Sequence, residues 1–322
     1  MESILMSLAM QSTLAINVAL NRLLTLVISA KAELRSIRGD TKTAATDDTP
    51  ALLERLSEWL YGNWYSIPEP VTPAITPTLG RSSLSSALRS CMPALHDWHA
   101  DWVVMQSWPN GTCIAGYGKE ARELGIGEYA NLSRPAMPVM PGDRIAVSDL
   151  IAWVDDKTGF WCAQSPYGEP RHPLVRLYLS VSNQQVGFVL NVVTAALNAQ
   201  KFKYLLKCPS QELSYTRVDS LIYYIEGRDW ERIEQFTLEI AEKIQPYLRE
   251  STPPLTLKVA PGIALAEDPG NGLSYGQKQC YALASGILKL IDEKLPVNSD
   301  PIAILMAALQ SKNTNPTSPW RN

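Results

Sequence analysis

Val175-Arg176-Leu177-Tyr178-Leu179-Ser180-Val181 is the stretch whose reading decides the fold. Apolar residues alternate with Arg176, Tyr178 and Ser180, a period of two that predicts a β-strand. The arginine is notable, because it stands inside an otherwise apolar strand. C-terminal to it the pattern changes to helical spacing over residues 183–201, with Val186, Val189, Leu190, Val193 and Leu197 on one side. Strands are then predicted at 202–207, 219–225 and 255–259, and helices at 229–249 and 273–295. Strands alternating with helices predict a mixed sheet covered by helices. The polar tail after residue 311 is expected to fray.

N-terminal to the deciding strand the chain reads differently. Residues 2–37 predict one long helix, followed by a polar loop to Pro50. A second helix over 50–65 carries Leu52, Leu53, Leu56, Trp59 and Leu60 at helical spacing. Pro68, Pro70, Pro73 and Pro77 make residues 66–81 an extended arm. A helix is predicted over 82–98. Asn110-Gly111 between two apolar runs is a hairpin signal. Residues 100–165 therefore read as a small antiparallel β unit. The expected fold class is α+β, with domains at 1–165 and 166–322.

Composition narrows the function classes. The chain has 322 residues, 46% of them hydrophobic, and a formal net charge of −3. That balance argues against a nucleic-acid polyanion as the main ligand. An anion site must be a local cluster of cations. Cysteines number 5, widely spaced and without a CxxC pair. They predict free buried thiols and a reducing, cytoplasmic compartment. His96 and His99 lack a nearby third ligand, so no metal site is expected. The apolar stretch 3–29 contains Arg22 and several Asn and Ser residues. It reads as a buried or amphipathic helix rather than a membrane span, and not as a secretory leader. No cofactor is implied: Gly125-x-Gly127-x-x-Ala130 lacks a strand–helix context, and P-loop, GxSxG and HExxH patterns are absent from the sequence.

Polar residues at strand ends remain. Arg176, Lys207 and Lys258 stand in apolar strands, where a cation often reaches along the surface to solvent. Tyr215, Arg217 and Asp219 are spaced by two and would share a face if extended. Asp268 lies in a Pro- and Gly-containing loop, and Ser274 suits the N-cap of the last predicted helix.

Arg176-Leu177-Tyr178-Leu179, Leu206-Lys207, Tyr215-Thr216-Arg217-Val218-Asp219-Ser220, Pro261-Gly262-Ile263-Ala264-Leu265-Ala266-Glu267-Asp268-Pro269 and Leu273-Ser274-Tyr275-Gly276 together resemble the HopA-type effector family. That family was first named for type III effectors of plant-pathogenic bacteria. Its pattern favours Phe where this chain has Tyr275. The resemblance covers about the last half of the chain and implies two kinds of activity. Some members look like effectors acting through host proteins. Others are related to the lyase of class V lanthipeptide biosynthesis, in which a partner kinase phosphorylates Ser or Thr of a precursor peptide. The lyase then eliminates phosphate to leave a dehydroamino acid.

Phosphate elimination needs a base for the Cα proton and cationic donors for the leaving phosphate. Arginine presents a fork matched to phosphate oxygens. A lysine among like charges is pushed toward its neutral, basic form. These requirements assign Lys207 as base and Tyr215 as proton donor or peptide-orienting group. Arg176, Arg217 and Lys258 become phosphate ligands, Asp219 fixes Arg217, and Asp268 and Ser274 shape the adjoining loop. The expected partners are a phosphorylated precursor peptide and a kinase-like protein. The competing reading is a non-enzymatic module that docks an acidic or phosphorylated protein. The tryptophans before residue 165 serve core packing or a platform for a peptide leader.

Overall fold

The computed structural model describes residues 2–30, 49–67, 81–93, 98–291 and 300–321. The polar loop before Pro50, most of the proline-rich arm and His96 lie outside these residues. The fold is α+β, and the contacts divide it into two compact units assembled from separated stretches of chain. One unit comprises residues 1–73, 171–180 and 216–322, and the other 74–170 and 181–215. A single boundary near residue 165 therefore divides the sequence but not the contacts, because the deciding strand packs with the N-terminal helices.

In the first unit, helices α1 (Glu2–Ser29) and α2 (Thr49–Leu60) precede a π-helical turn, Tyr61–Tyr65. Elsewhere in the same unit lie β8 (Leu174–Leu179), β10 (Leu221–Glu226), β11 (Leu257–Ala260) and β12 (Ile263–Glu267), paired antiparallel in the order β11-β12-β8-β10. Helices α5 (Trp230–Ile244), α6 (Tyr275–Ile291) and α7 (Pro301–Gln310) complete it. Asp229 caps α5 by accepting from the Arg232 N–H, and Asp300 caps α7 just ahead of Pro301. Leu20, Leu23, Leu56, Leu60, Leu283 and Ile287 form the apolar centre of the unit.

β12 shows no alternation in sequence because Ile263, Ala264, Leu265 and Ala266 are all buried, so both faces of the strand are covered. The tail does not fray. The Glu267 N–H donates to the Trp320 carbonyl at 2.8 Å, Arg321 pairs with Glu267 at 3.2 Å and stacks over Trp230, and Thr314 is buried. Short polar sequence here is compensated by specific hydrogen bonds to a strand end.

In the second unit, α3 (Arg81–Ser90) ends before Pro93, and residue 98 already belongs to a strand. The five strands β1 (Trp98–Ser107), β2 (Cys113–Tyr117), β3 (Glu120–Leu124), β4 (Tyr129–Asn131) and β5 (Arg144–Ser148) form an antiparallel sheet in the order β3-β2-β1-β5-β4. The predicted hairpin closes with the Trp108 N–H donating to the Thr112 carbonyl at 2.9 Å and Gly111 at φ +81°. Trp102, Val104, Cys113, Ala115, Ile145 and Val147 pack its core. β6 (Ala152–Asp155) and β7 (Phe160–Gln164) leave this sheet, and β7 pairs antiparallel with β9 (Tyr204–Pro209), which follows α4 (Val186–Ala199). No described helix is long and apolar enough to cross a membrane.

Candidate functional site

Register on the sheet of the first unit builds the site. Arg176 lies opposite Tyr224 on one side and Ala266 on the other; Tyr178 lies opposite Ile222 and Ala264. Opposed residues share a face, so arginine and phenol are flanked on β12 by two alanines. The small side chains leave room for Tyr65 and Tyr275, which are buried in the same cluster as Tyr178. Tyr65 in turn needs Gly276, where a Cβ would come within 2.3 Å of its ring. Burial pushes the Tyr178 phenol up to about 12, and burial likewise raises Tyr61, Tyr65 and Tyr275, so the whole group is protonated near neutrality.

Arg176 is closed to solvent. Its Nε donates to Asp268 at 2.6 Å, a second nitrogen approaches the same oxygen at 2.5 Å, and its guanidinium stacks over the Tyr224 ring. The two side chains are 6% and 9% exposed, respectively. Burial lowers the Arg176 pKa, but Tyr178, Tyr224 and Asp268 outweigh it and hold the charge. Asp268 also accepts from the Gly270 N–H, fixing the loop. Ser274 caps α6 in a reciprocal box: its hydroxyl accepts from the Gln277 N–H at 3.1 Å, and its own N–H donates to the Gln277 side chain at 2.8 Å.

Arg217 is the more open of the two arginines. It forks onto Asp219 with bonds of 2.9 and 2.7 Å and donates to the Tyr61 hydroxyl at 3.1 Å, while its side chain stays 24% exposed. Tyr61 donates to Asp219 at 3.3 Å and lies under the guanidinium. Burial opposes the Arg217 charge, and Asp219 with Tyr61 more than restores it. Arg249, from the segment after α5, donates to the Arg217 carbonyl and to the Ser220 hydroxyl. Tyr61 and Arg249 were not singled out in the sequence reading. Tyr61 follows an ordinary amphipathic helix and Arg249 a polar helix end, so neither position carries a local signal.

The remaining candidates lie elsewhere. Lys258 is exposed on β11, opposite Ala264. Lys207 and Tyr215 belong to the second unit. Lys207 is half-buried on β9, opposite Cys162, with its ammonium 4.7 Å from the Phe160 ring centre. Tyr215 is buried in a short helical turn, Glu212–Thr216, and donates to the Pro209 carbonyl at 3.0 Å. The extended row Tyr215-x-Arg217-x-Asp219 is therefore not formed; of the three, the structure brings together Arg217 and Asp219. The described cysteines are free, and burial raises the thiol pKa of Cys113, Cys162, Cys208 and Cys280. His99 approaches Asp149 at 4.0 Å.

A family model described as the HopA1 effector protein family matches residues 156–321, just over half of the sequence. The chain belongs to that family. All the pieces of sequence that carried the resemblance fall inside the matched span. The HopA1 match covers β8, β10, β11 and β12 with helices α5, α6 and α7, and excludes the five-stranded sheet. Among solved structures, the chain is similar to an effector protein from Pseudomonas syringae pv. tomato strain DC3000, at 12% identity over 91% of this chain and 96% of that one, with a TM-score of 0.46. It is also similar to an effector protein from Pseudomonas syringae pv. syringae strain 61, at 13% identity over 90% and 96%, with a TM-score of 0.45. No curated protein sequence matches it.

Proposed function

We propose that this HopA1-family chain is a phosphoserine/phosphothreonine lyase acting on a ribosomal peptide precursor that a kinase-like partner has phosphorylated. In the reaction a base removes the Cα proton, the C–H electron pair becomes the Cα=Cβ bond, and the Cβ–O bond breaks with its electrons leaving on phosphate. The observation that carries the reading is the half-open Arg217, forked on Asp219 and hydrogen-bonded to a protonated phenol. A carboxylate accepts from a guanidinium in the geometry a phosphate uses, so a phosphate monoester competes for the same donors. Tyr61 is the phenol at this arginine and is better suited than Tyr215 to donate toward the leaving oxygen. Arg176 supports the site by holding the Asp268 loop, and Lys258 adds an exposed cation. Lys207, which belongs to the second unit, is the base assigned from the sequence, and its substitution tests that role separately from the Arg217 site. The chemistry as written calls for no metal or organic cofactor, and a cytoplasmic setting suits the kinase step.

The test is incubation of the purified chain with phosphothreonine and phosphoserine peptides, followed by mass spectrometry. Elimination is expected as loss of phosphoric acid, with Arg217→Ala lowering it at least about a hundredfold and Lys207→Ala by about 10²–10⁴-fold. Full activity in folded Lys207→Ala removes the assigned base, and no elimination with a kinase and precursor supplied removes the lyase.

A second reading has its own support. On the five-stranded sheet, Trp98 and Tyr117 are 48% and 55% exposed and line a cleft with Arg122, which stacks over Trp102. Exposed aromatic surface with a cation suits a module that docks an acidic or phosphorylated protein. Retention of phosphopeptide without elimination would favour it.

A further inference from the structure

We infer that Arg249, held by the Ser220 hydroxyl, forms with the hydroxyl of Ser180 an anion subsite beside Arg217 that receives a tetrahedral phosphate. The inference rests on the reading of Arg217 as a phosphate ligand and adds residues that the sequence did not nominate.

Position comes first. The Arg249 N–H donates to the Ser180 carbonyl at 2.8 Å, the Gly262 N–H to the Glu250 carbonyl at 2.9 Å, and the Ser180 N–H to the Gly262 carbonyl at 2.9 Å. These bonds seat the segment after α5 against the β11–β12 turn. Gly262, at φ +74°, makes the approach possible: a Cβ there would stand 2.2 Å from the Arg249 carbonyl oxygen. Arg249 is thus held at its backbone, while its side chain reaches the Ser220 hydroxyl at 3.2 Å and the Arg217 carbonyl. Arg217 forks the Asp219 carboxylate, and the charge of Asp219 favours the charged form of Arg249 against the cost of its burial.

The β8–β10 ladder ends at Leu179 opposite Leu221, and the next residues outward are Ser180 and Ser220. By alternation Ser180 shares the face of Tyr178 and Arg176. It is 1% exposed, and its hydroxyl has no hydrogen-bond partner among the described residues. A buried hydroxyl with nothing to bond is costly and uncommon. Continuing the register sets Ser180 across from Ser220, whose hydroxyl accepts from Arg249, so the Ser180 hydroxyl is a donor awaiting an acceptor on the side of Arg249. A phosphate offers several acceptor oxygens and takes charge-assisted bonds from arginine, which are the strong ones. The way in is from the solvent side, where Arg217 and Arg249 are both half-buried rather than closed.

The phosphate could belong to the phosphopeptide or be the orthophosphate released by elimination, and the two are separated by experiment. The full chain is titrated calorimetrically with inorganic phosphate and, separately, with a phosphothreonine peptide, and elimination is followed in parallel. Inorganic phosphate is expected to bind, with Arg249→Gln weakening it at least about tenfold and Ser180→Ala about threefold or more. Weakening for the peptide alone assigns the subsite to the ester, and weakening for both assigns it to the phosphate group in either form. Arg249→Gln binding both probes like the wild type overturns the inference, as does wild-type chain that binds neither. If Arg249→Gln fails to fold, Arg249→Lys and Ser180→Ala take its place, and wild-type affinity in both overturns it. Arg249-dependent phosphate binding without any elimination leaves the subsite standing while the lyase falls.

Discussion

Arg176–Asp268 and Arg217–Asp219 are the same pair of residue types in one unit, and they do different work. The first is sealed, with both side chains under a tenth exposed and a tyrosine ring over the guanidinium. The second keeps about a quarter of its arginine exposed and shares its acid with Tyr61. A sealed ion pair is costly to desolvate and costlier still to break, so it fixes structure. A partly open pair retains donors that a ligand can reach. Arg134–Asp143 of the second unit, 38% and 12% exposed, extends the series to a more accessible setting.

The comparison is broken most directly at its sealed end. Arg176→Met should cost about 3–5 kcal/mol in urea unfolding because it strands the Asp268 carboxylate. Adding Asp268→Leu should recover much of that loss; a single-mutant cost below about 1 kcal/mol would place Arg176 with the open pairs. Arg217→Ala should cost about 1–3 kcal/mol, since buried Asp219 keeps the Tyr61 bond, yet it should remove most phosphopeptide elimination. Gly276→Ala tests the tyrosine packing behind both arginines. The Cβ meets the Tyr65 ring, and about 1–3 kcal/mol of thermal stability should be lost. Ser274→Ala breaks the capping box and should cost about 1 kcal/mol without changing phosphate affinity.

The smallest effect sharpens the accessible end. The hydrogen bonds from Arg134, then from the Met140 N–H, hold the Asp143 carboxyl down at about 2. The folded value lies below the ordinary carboxylate value of about 3.9. The stabilisation is therefore present above about pH 4 and is lost as pH falls toward 2. Arg134→Ala should flatten acid unfolding in that window and change stability at pH 7 only slightly.

Much of the secondary structure was legible, for identifiable reasons. The strand at 175–181 alternates, the Asn110-Gly111 hairpin carries its own turn signal, and Ser274 sits where a cap belongs. β12 was not legible because a strand buried on both faces has no alternation. The tail was misread because its polar residues are fixed by bonds to Glu267 and Trp230, not by an apolar stripe. Of the candidate site, Arg176, Arg217, Asp219 and Asp268 were found as types, since a charge or acid beside an apolar strand stands out.

Their pairing was not readable: Arg176 meets an acid 92 positions away, whereas Arg217 meets one two positions away. The sequence by itself determined an α+β chain of the HopA1 family, the strand that carries Arg176 inside its sheet, and a supply of cations near strand ends. Tertiary structure alone decided which cation is sealed and which is open. Burial and partnership depend on what register and packing bring from distant segments: two alanines on β12, a glycine under Tyr65, and Arg249 after α5. Local periodicity sets the face a side chain occupies, but not what stands across from it.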